Sequence, residues 1–133
     1  MSNFLKKYFD LVEQKFNANT VRSRSKTPLD SAEYLHSKKY FEGMIEEIEE
    51  AKQEVKQDNS VYLETELGDI FWTYLNTLYC LEQEGYISKE KVFERCLKKF
   101  SERTEGIQEG VLWNSIKEKQ KHDLLQEHNE KYS

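Results

Sequence analysis

From Val61 to Glu84 the chain runs without a proline, and Leu63, Leu67, Ile70, Phe71, Tyr74, Leu75, Leu78 and Leu81 return along it at three- and four-residue steps. That period is helical, and a stripe so wide must be covered by other elements. The whole sequence holds one proline and five glycines, so its other periodic runs are equally uninterrupted. An all-α domain is the expected fold class. At 133 residues, with 37% hydrophobic, 34% charged and 13% aromatic side chains, one domain spanning 1–133 is expected, since the aromatic residues each bury a large area.

The other helices follow from the same reading. Phe4, Leu5, Tyr8, Phe9, Val12 and Phe16 predict a first helix over 3–17, with Asn17 and Asn19 as its stop. Residues 18–30, ANTVRSRSKTPLD, read as a loop carrying Arg22, Arg24 and Lys26. It is either a solvated linker or a segment that contacts phosphate. Ser31 is a candidate cap for a second helix, with Glu33 in its first turn. Phe41, Met44, Ile45, Ile48, Ala51 and Val55 set that helix's register, and Asp58-Asn59-Ser60 is a turn signal. After the break at Glu84-Gly85-Tyr86, Ser88 caps a fourth helix over 89–103, with Val92, Phe93, Cys96, Leu97 and Phe100 facing inward. A link containing Gly106 and Gly110 leads to a last helix over 113–128, and the polar tail beyond it is expected to fray.

The net charge of −5 and pI near 5.3 leave no basic footprint for DNA or RNA. Cys80 and Cys96 lack a disulfide-framework spacing and read as buried free thiols. The first residues, MSNFLKKYFDLVEQKF, have no apolar signal-peptide core, and no run suits a membrane span. A cytoplasmic location is the expectation.

GMIEEIEEAKQEV at 43–55 and LETELGDIFWTYLN at 63–76 place acidic groups on both sides of the turn. Glu47 with Glu50, and Glu66 with Asp69, are each three residues apart, hence neighbours on a helix surface. The two pairs are centred symmetrically about residue 58. If the flanking helices form an antiparallel hairpin, the pairs stand level and face one cleft. Four carboxylates at one level repel unless a cation sits among them. An all-oxygen set suits a hard divalent ion such as Mg²⁺, with Mn²⁺ as a substitute. Zinc is disfavoured, because His36, His122 and His128 read as surface residues and no His or Cys has ligand spacing.

Glu46-Glu47-Ile48-Glu49-Glu50 followed by Glu66-Leu67-Gly68-Asp69 resembles the EExxE plus ExxD signature of the MazG-type nucleotide pyrophosphohydrolases, in the all-α NTP pyrophosphatase superfamily. ELGDIFWTYLNTL, with Asn76, resembles the family's ELGD run. KKFSER, with Lys99 and Arg103, resembles its KFxxR motif, and WNSIKEKQK, with Trp113 and Lys117, resembles its closing segment. The four occur in the family's order between about 40 and 121. Thr27-Pro28-Leu29-Asp30 stands where the family often has a CPWD-like stretch, without its Cys and Trp.

The resemblance implies a four-helix-bundle core over about 31–121 with additional terminal helices, assembled as a homodimer or homotetramer. It implies Mg²⁺-dependent hydrolysis of nucleoside triphosphates to monophosphate and pyrophosphate, which would serve to sanitise the nucleotide pool. Glu47, Glu50, Glu66 and Asp69 would hold the metal. Glu46 would hold a second ion or activate water, making Glu46, Glu47 and Glu50 the catalytic set. Asn76, Lys99, Arg103, Trp113 and Lys117 would contact the nucleotide. A plain structural reading stands beside each: Asn76 as a cap for a neighbouring helix, Lys99 and Arg103 as a solvated face, Trp113 as core or interface. The alternatives are a dUTPase-like or phosphoribosyl-ATP-pyrophosphohydrolase-like relative, or a non-catalytic nucleotide-sensing module.

Overall fold

A computed structural model of the chain describes residues 1–23 and 35–133. Arg24, Lys26, residues 27–30, the Ser31 cap with Glu33, and the side chain of Arg22 lie outside the described residues. Among the described residues there are five helices, in order α1 (Asn3–Ser23), α2 (Ser37–Gln53), α3 (Ser60–Gln83), α4 (Lys89–Gln108) and α5 (Trp113–Tyr132). Among the described residues there is no strand. The chain divides into two compact units, Met1–Lys89 and Glu90–Ser133.

In the first unit, α1 passes the expected stop at Asn17 and Asn19 and continues to Ser23. Asparagine has only a modest cost inside a helix, and Thr20 turns its hydroxyl back onto the Phe16 carbonyl at 2.9 Å rather than ending the run. Helix α2 begins at Ser37, later than the expected start at Ser31. The reason lies far away in sequence. The Glu84 carboxylate accepts from the Ser37 backbone N–H at 3.2 Å and from the Ser37 hydroxyl at 2.8 Å, so a residue from the end of α3 supplies the cap. Glu82 does the same for α4, accepting from the Lys89 backbone N–H at 2.7 Å and its Nζ at 2.9 Å. These bonds, the backbone one foremost, hold the Glu82 carboxyl below its ordinary pKa.

Helix α3 ends in a Schellman motif. Gly85, at φ +86°, donates to the Glu82 carbonyl, and Tyr86 donates to Leu81. The core forms where α1 crosses the second half of α3. Val12, Leu75 and Cys80 are all but sealed from solvent, and Phe9, Leu78 and Tyr79 are buried beside them. Tyr8 meets Phe71 and Phe16 meets Tyr79, each edge-on at 5.0 Å, so α1 and α3 run in the same direction. Buried residues are continuous from Leu75 through Cys80, which means this part of α3 is covered on every side.

Helices α2 and α3 form the expected hairpin, turned at Asp58, which takes a positive φ of 52°. Asn59 ties the turn by donating to the Glu54 carbonyl at 2.8 Å and to its carboxylate at 2.7 Å. The stripe that sets the α2 register is only partly covered within the chain. Ala51 is buried, whereas Phe41, Ile45 and Ile48 are exposed.

The second unit is a hairpin of α4 and α5. Helix α4 runs five residues beyond the expected end and takes Gly106 inside it. It closes with a second Schellman motif at Gly110, φ +80°, where Gly110 donates to Ile107 and Val111 to Gly106. Gly106 packs against Ile116: a methyl group there would meet Ile116 Cδ1 at 2.2 Å, so the isoleucine side chain would have to shift. Two corrections fall in this unit. Cys96 is exposed rather than buried, while Cys80 is the buried thiol. Leu97 (72% exposed) and Phe100 do not point into a core, because two helices alone cannot cover a wide stripe: Gly106 is buried on α4, and α5 has no buried residue. Helix α5 continues to Tyr132, past the expected end at 128.

Candidate metal centre

The hairpin register decides whether the acidic pairs meet. Gly43 faces Thr73, with 3.9 Å between a Cβ built on the glycine and Thr73 Cγ2. Counting outward from Asp58, the same register sets Glu47 level with Asp69 and Glu50 level with Glu66. One carboxylate oxygen from each of Glu47, Glu66 and Asp69 lies within 4.8 Å of the other two. Glu50 stands next to them, close enough to raise the carboxyls of both Glu47 and Glu66. Four acidic residues from two helices therefore converge.

The electrostatics follow from this crowding. The Glu47 carboxyl is raised to about 7, first by burial, then by the charges of Glu50, Asp69 and Glu66. Glu66 is raised in the same way, by partial burial first and then by Glu50, Asp69 and Glu54. One oxygen of each, Glu47 Oε2 and Glu66 Oε2, is buried and has no hydrogen-bond partner. Buried carboxylate oxygens are normally satisfied. Two such oxygens facing each other's charge fit a divalent cation held by oxygen ligands, and all four side chains have the right donor chemistry.

The remaining candidates are placed elsewhere. Glu46 is exposed on α2, and no contact ties it to the cluster. Asn76 is 1% exposed. Its amide donates to the Trp72 carbonyl at 2.7 Å, and its Oδ1 accepts from Lys15 Nζ. In the second unit, Lys99, Arg103 and Lys117 line one cleft between α4 and α5. Arg103 lies over the Trp113 ring at 4.9 Å and donates from Nε to Gln120 Oε1 at 2.8 Å.

A sequence pattern for the MazG nucleotide pyrophosphohydrolase domain matches residues 36–107. The chain belongs to this family. The match covers the α2–α3 hairpin with its four clustered carboxylates, together with Lys99 and Arg103; Trp113 and Lys117 lie beyond it. No curated protein and no solved structure matches the chain. Membership of the MazG family points to a nucleotide pyrophosphohydrolase, a metal-dependent class, and the all-helical structure agrees with it. No helix among the described residues is long and apolar enough to cross a membrane.

Sequence reasoning missed Lys15 and Tyr40. Lys15 holds Asn76, and it also donates to the Tyr40 hydroxyl at 2.5 Å. A signal was present: Lys15 lies three residues after Val12 and directly before Phe16, on the apolar side of α1.

Proposed function

We propose that the protein is a Mg²⁺-dependent nucleoside triphosphate pyrophosphohydrolase that cleaves the α–β phosphoanhydride and releases a nucleoside monophosphate and pyrophosphate. The observation that carries this reading is the meeting of Glu47, Glu66 and Asp69, two of them with unsatisfied buried oxygens, in a MazG-family chain.

Breaking a phosphoanhydride needs charge neutralisation and alignment more than covalent help. Glu47, Glu50, Glu66 and Asp69 would hold Mg²⁺, which supplies positive charge and Lewis acidity at the phosphates. Rigid placement on two helices fixes these four carboxylates relative to one another, so little reorganisation accompanies binding. Glu46, one residue from Glu47 and open to solvent, would accept the proton of the attacking water. The oxygen of that water forms the new bond to phosphorus, and the electron pair of the broken P–O bond leaves on pyrophosphate. Lys99, Arg103, Trp113 and Lys117 are assigned to the nucleotide on their motif match and, for the three cations, on the cleft they share. The exposed Phe41, Ile45 and Ile48 on α2, with Val61 and Leu67 on α3, support assembly as a homodimer or homotetramer.

The test is incubation with dNTPs and Mg²⁺, with Mn²⁺ in parallel, followed by detection of monophosphate and pyrophosphate. Release of orthophosphate and a diphosphate would contradict the assigned bond. Light scattering should give a multiple of 16.0 kDa.

A further inference from the structure

Lys15 carries a half-buried charge that no carboxylate among the described residues balances. Among the described residues its ammonium touches only neutral oxygens, those of Tyr40 and Asn76. It also lies over the Tyr40 ring at 4.5 Å and the Trp72 ring at 5.5 Å. An ammonium has three donors. Two are spent on Tyr40 and Asn76, and among the described residues no acceptor takes the third. Burial pushes the pKa of the amine down to about 8, which still leaves it mostly protonated at neutral pH. Burying a cation without a counter-ion costs stability, so its anionic partner is expected from elsewhere.

The position of Lys15 says what that partner is. Tyr40 precedes Glu47 by seven residues on α2, and Asn76 follows Asp69 by seven on α3. Two turns return a helix to nearly the same azimuth, about 10.5 Å along the axis. The acidic cluster and the Lys15 ammonium are therefore two levels of one face of the same hairpin. A metal–oxygen bond of about 2.1 Å at one end and a charge-assisted hydrogen bond of about 2.8 Å at the other leave a short phosphate chain to fill the rest.

Taking the hydrolase reading of the acidic cluster as its premise, we infer that Lys15 is a substrate-binding residue that receives the terminal phosphate of the triphosphate, the group that departs in pyrophosphate, with Asn76 as its positioning residue. The nucleoside end of the substrate is neutral and offers the ammonium no charge. The terminal phosphate carries the most. Asn76, locked by the Trp72 carbonyl, fixes the amine with a dipole and leaves its charge available, which a carboxylate at the same place would cancel.

The experiment compares pyrophosphate and nucleoside monophosphate binding to the full chain with Mg²⁺, by calorimetry, alongside steady-state kinetics on a dNTP. Lys15→Met keeps the apolar stem and removes the charge; Lys15→Arg keeps the charge. Asn76→Asp keeps an acceptor for Lys15 and neutralises the pair, while giving up the donation to the Trp72 carbonyl. Losing a charged hydrogen bond corresponds to about tenfold to a hundredfold in affinity. Lys15→Met and Asn76→Asp should each weaken pyrophosphate binding by that factor and raise KM similarly. Monophosphate affinity should stay near the parent's, and Lys15→Arg should retain most of the pyrophosphate affinity. Unchanged pyrophosphate affinity in the helical Asn76→Asp or Lys15→Met protein, or a loss that falls on the monophosphate, overturns the assignment. So does a parent that binds no pyrophosphate. Turnover in the parent with unaltered Lys15→Met kinetics would sink this inference alone. Lys15-dependent pyrophosphate binding without hydrolysis of any nucleotide would sink the hydrolase reading alone.

Discussion

Replacing Glu47 with glutamine should stabilise the metal-free protein, and only at neutral to alkaline pH. Glu47 is half-buried among Glu50, Glu66 and Asp69, and its carboxyl is raised from 4.5 to about 7. A carboxyl whose folded pKa lies above its unfolded value binds more protons in the folded state between those two values. Stability therefore falls as pH rises through that window. Below 4.5 both states are protonated and the repulsion costs nothing. Above 7 the cost is complete. At about 1.4 kcal/mol per pH unit the interval is worth roughly 3 kcal/mol. Partial solvent access screens part of this, leaving about 1–2 kcal/mol. Glutamine keeps the shape, can donate to Glu50 and cannot ionise. For a chain of this length the gain corresponds to a rise in Tm of roughly 3–8 °C. The assay is thermal unfolding followed by circular dichroism in EDTA, at pH 5 and pH 8. Glu47→Gln should melt higher than the parent at pH 8 and within error of it at pH 5. Added Mg²⁺ should reverse the order at pH 8, because ligand binding stabilises only the protein that holds it. A variant less stable than the parent at pH 8 in EDTA, or a difference independent of pH, would refute the electrostatic account of the cluster.

Three further outcomes are expected. Glu50→Gln, at an exposed position, removes the charge that acts most strongly on Glu47 and Glu66, so in EDTA at pH 8 it should unfold no earlier than the parent and should abolish Mg²⁺-dependent pyrophosphate release; parent-like turnover would remove Glu50 from the ligand set. Leu75→Ala, at a site 1% exposed between α1 and α3, should cost about 2–5 kcal/mol in urea unfolding. Gly106→Ala gains roughly 1 kcal/mol of helix propensity but drives a methyl to 2.2 Å from Ile116 Cδ1. Overpacking of about 1–3 kcal/mol should win, so the variant should unfold earlier than the parent in denaturant, and a more stable variant would refute the packing argument.

Much of this protein was legible from spacing alone. Helical period, one proline and the Asp58-Asn59-Ser60 turn were enough to specify five helices and an α2–α3 hairpin, because a two-helix register is set locally by its turn. The symmetry of Glu47–Glu50 and Glu66–Asp69 about residue 58 was enough to predict level carboxylates once the turn is centred there, and the approach of Gly43 to Thr73 has that register. Helix ends were less legible where they depend on distant groups. Ser37 opens α2 because Glu84 caps it from forty-seven residues away. Cys96 and Leu97 show the helical period of a buried face, yet period marks a face without saying what covers it, and nothing in the hairpin does. Only the tertiary structure brings Lys15 from α1 onto Asn76 and Tyr40. That meeting depends on how α1 crosses the α2–α3 pair, and a crossing is fixed by side-chain packing between segments distant in sequence, not by the pattern within any one of them.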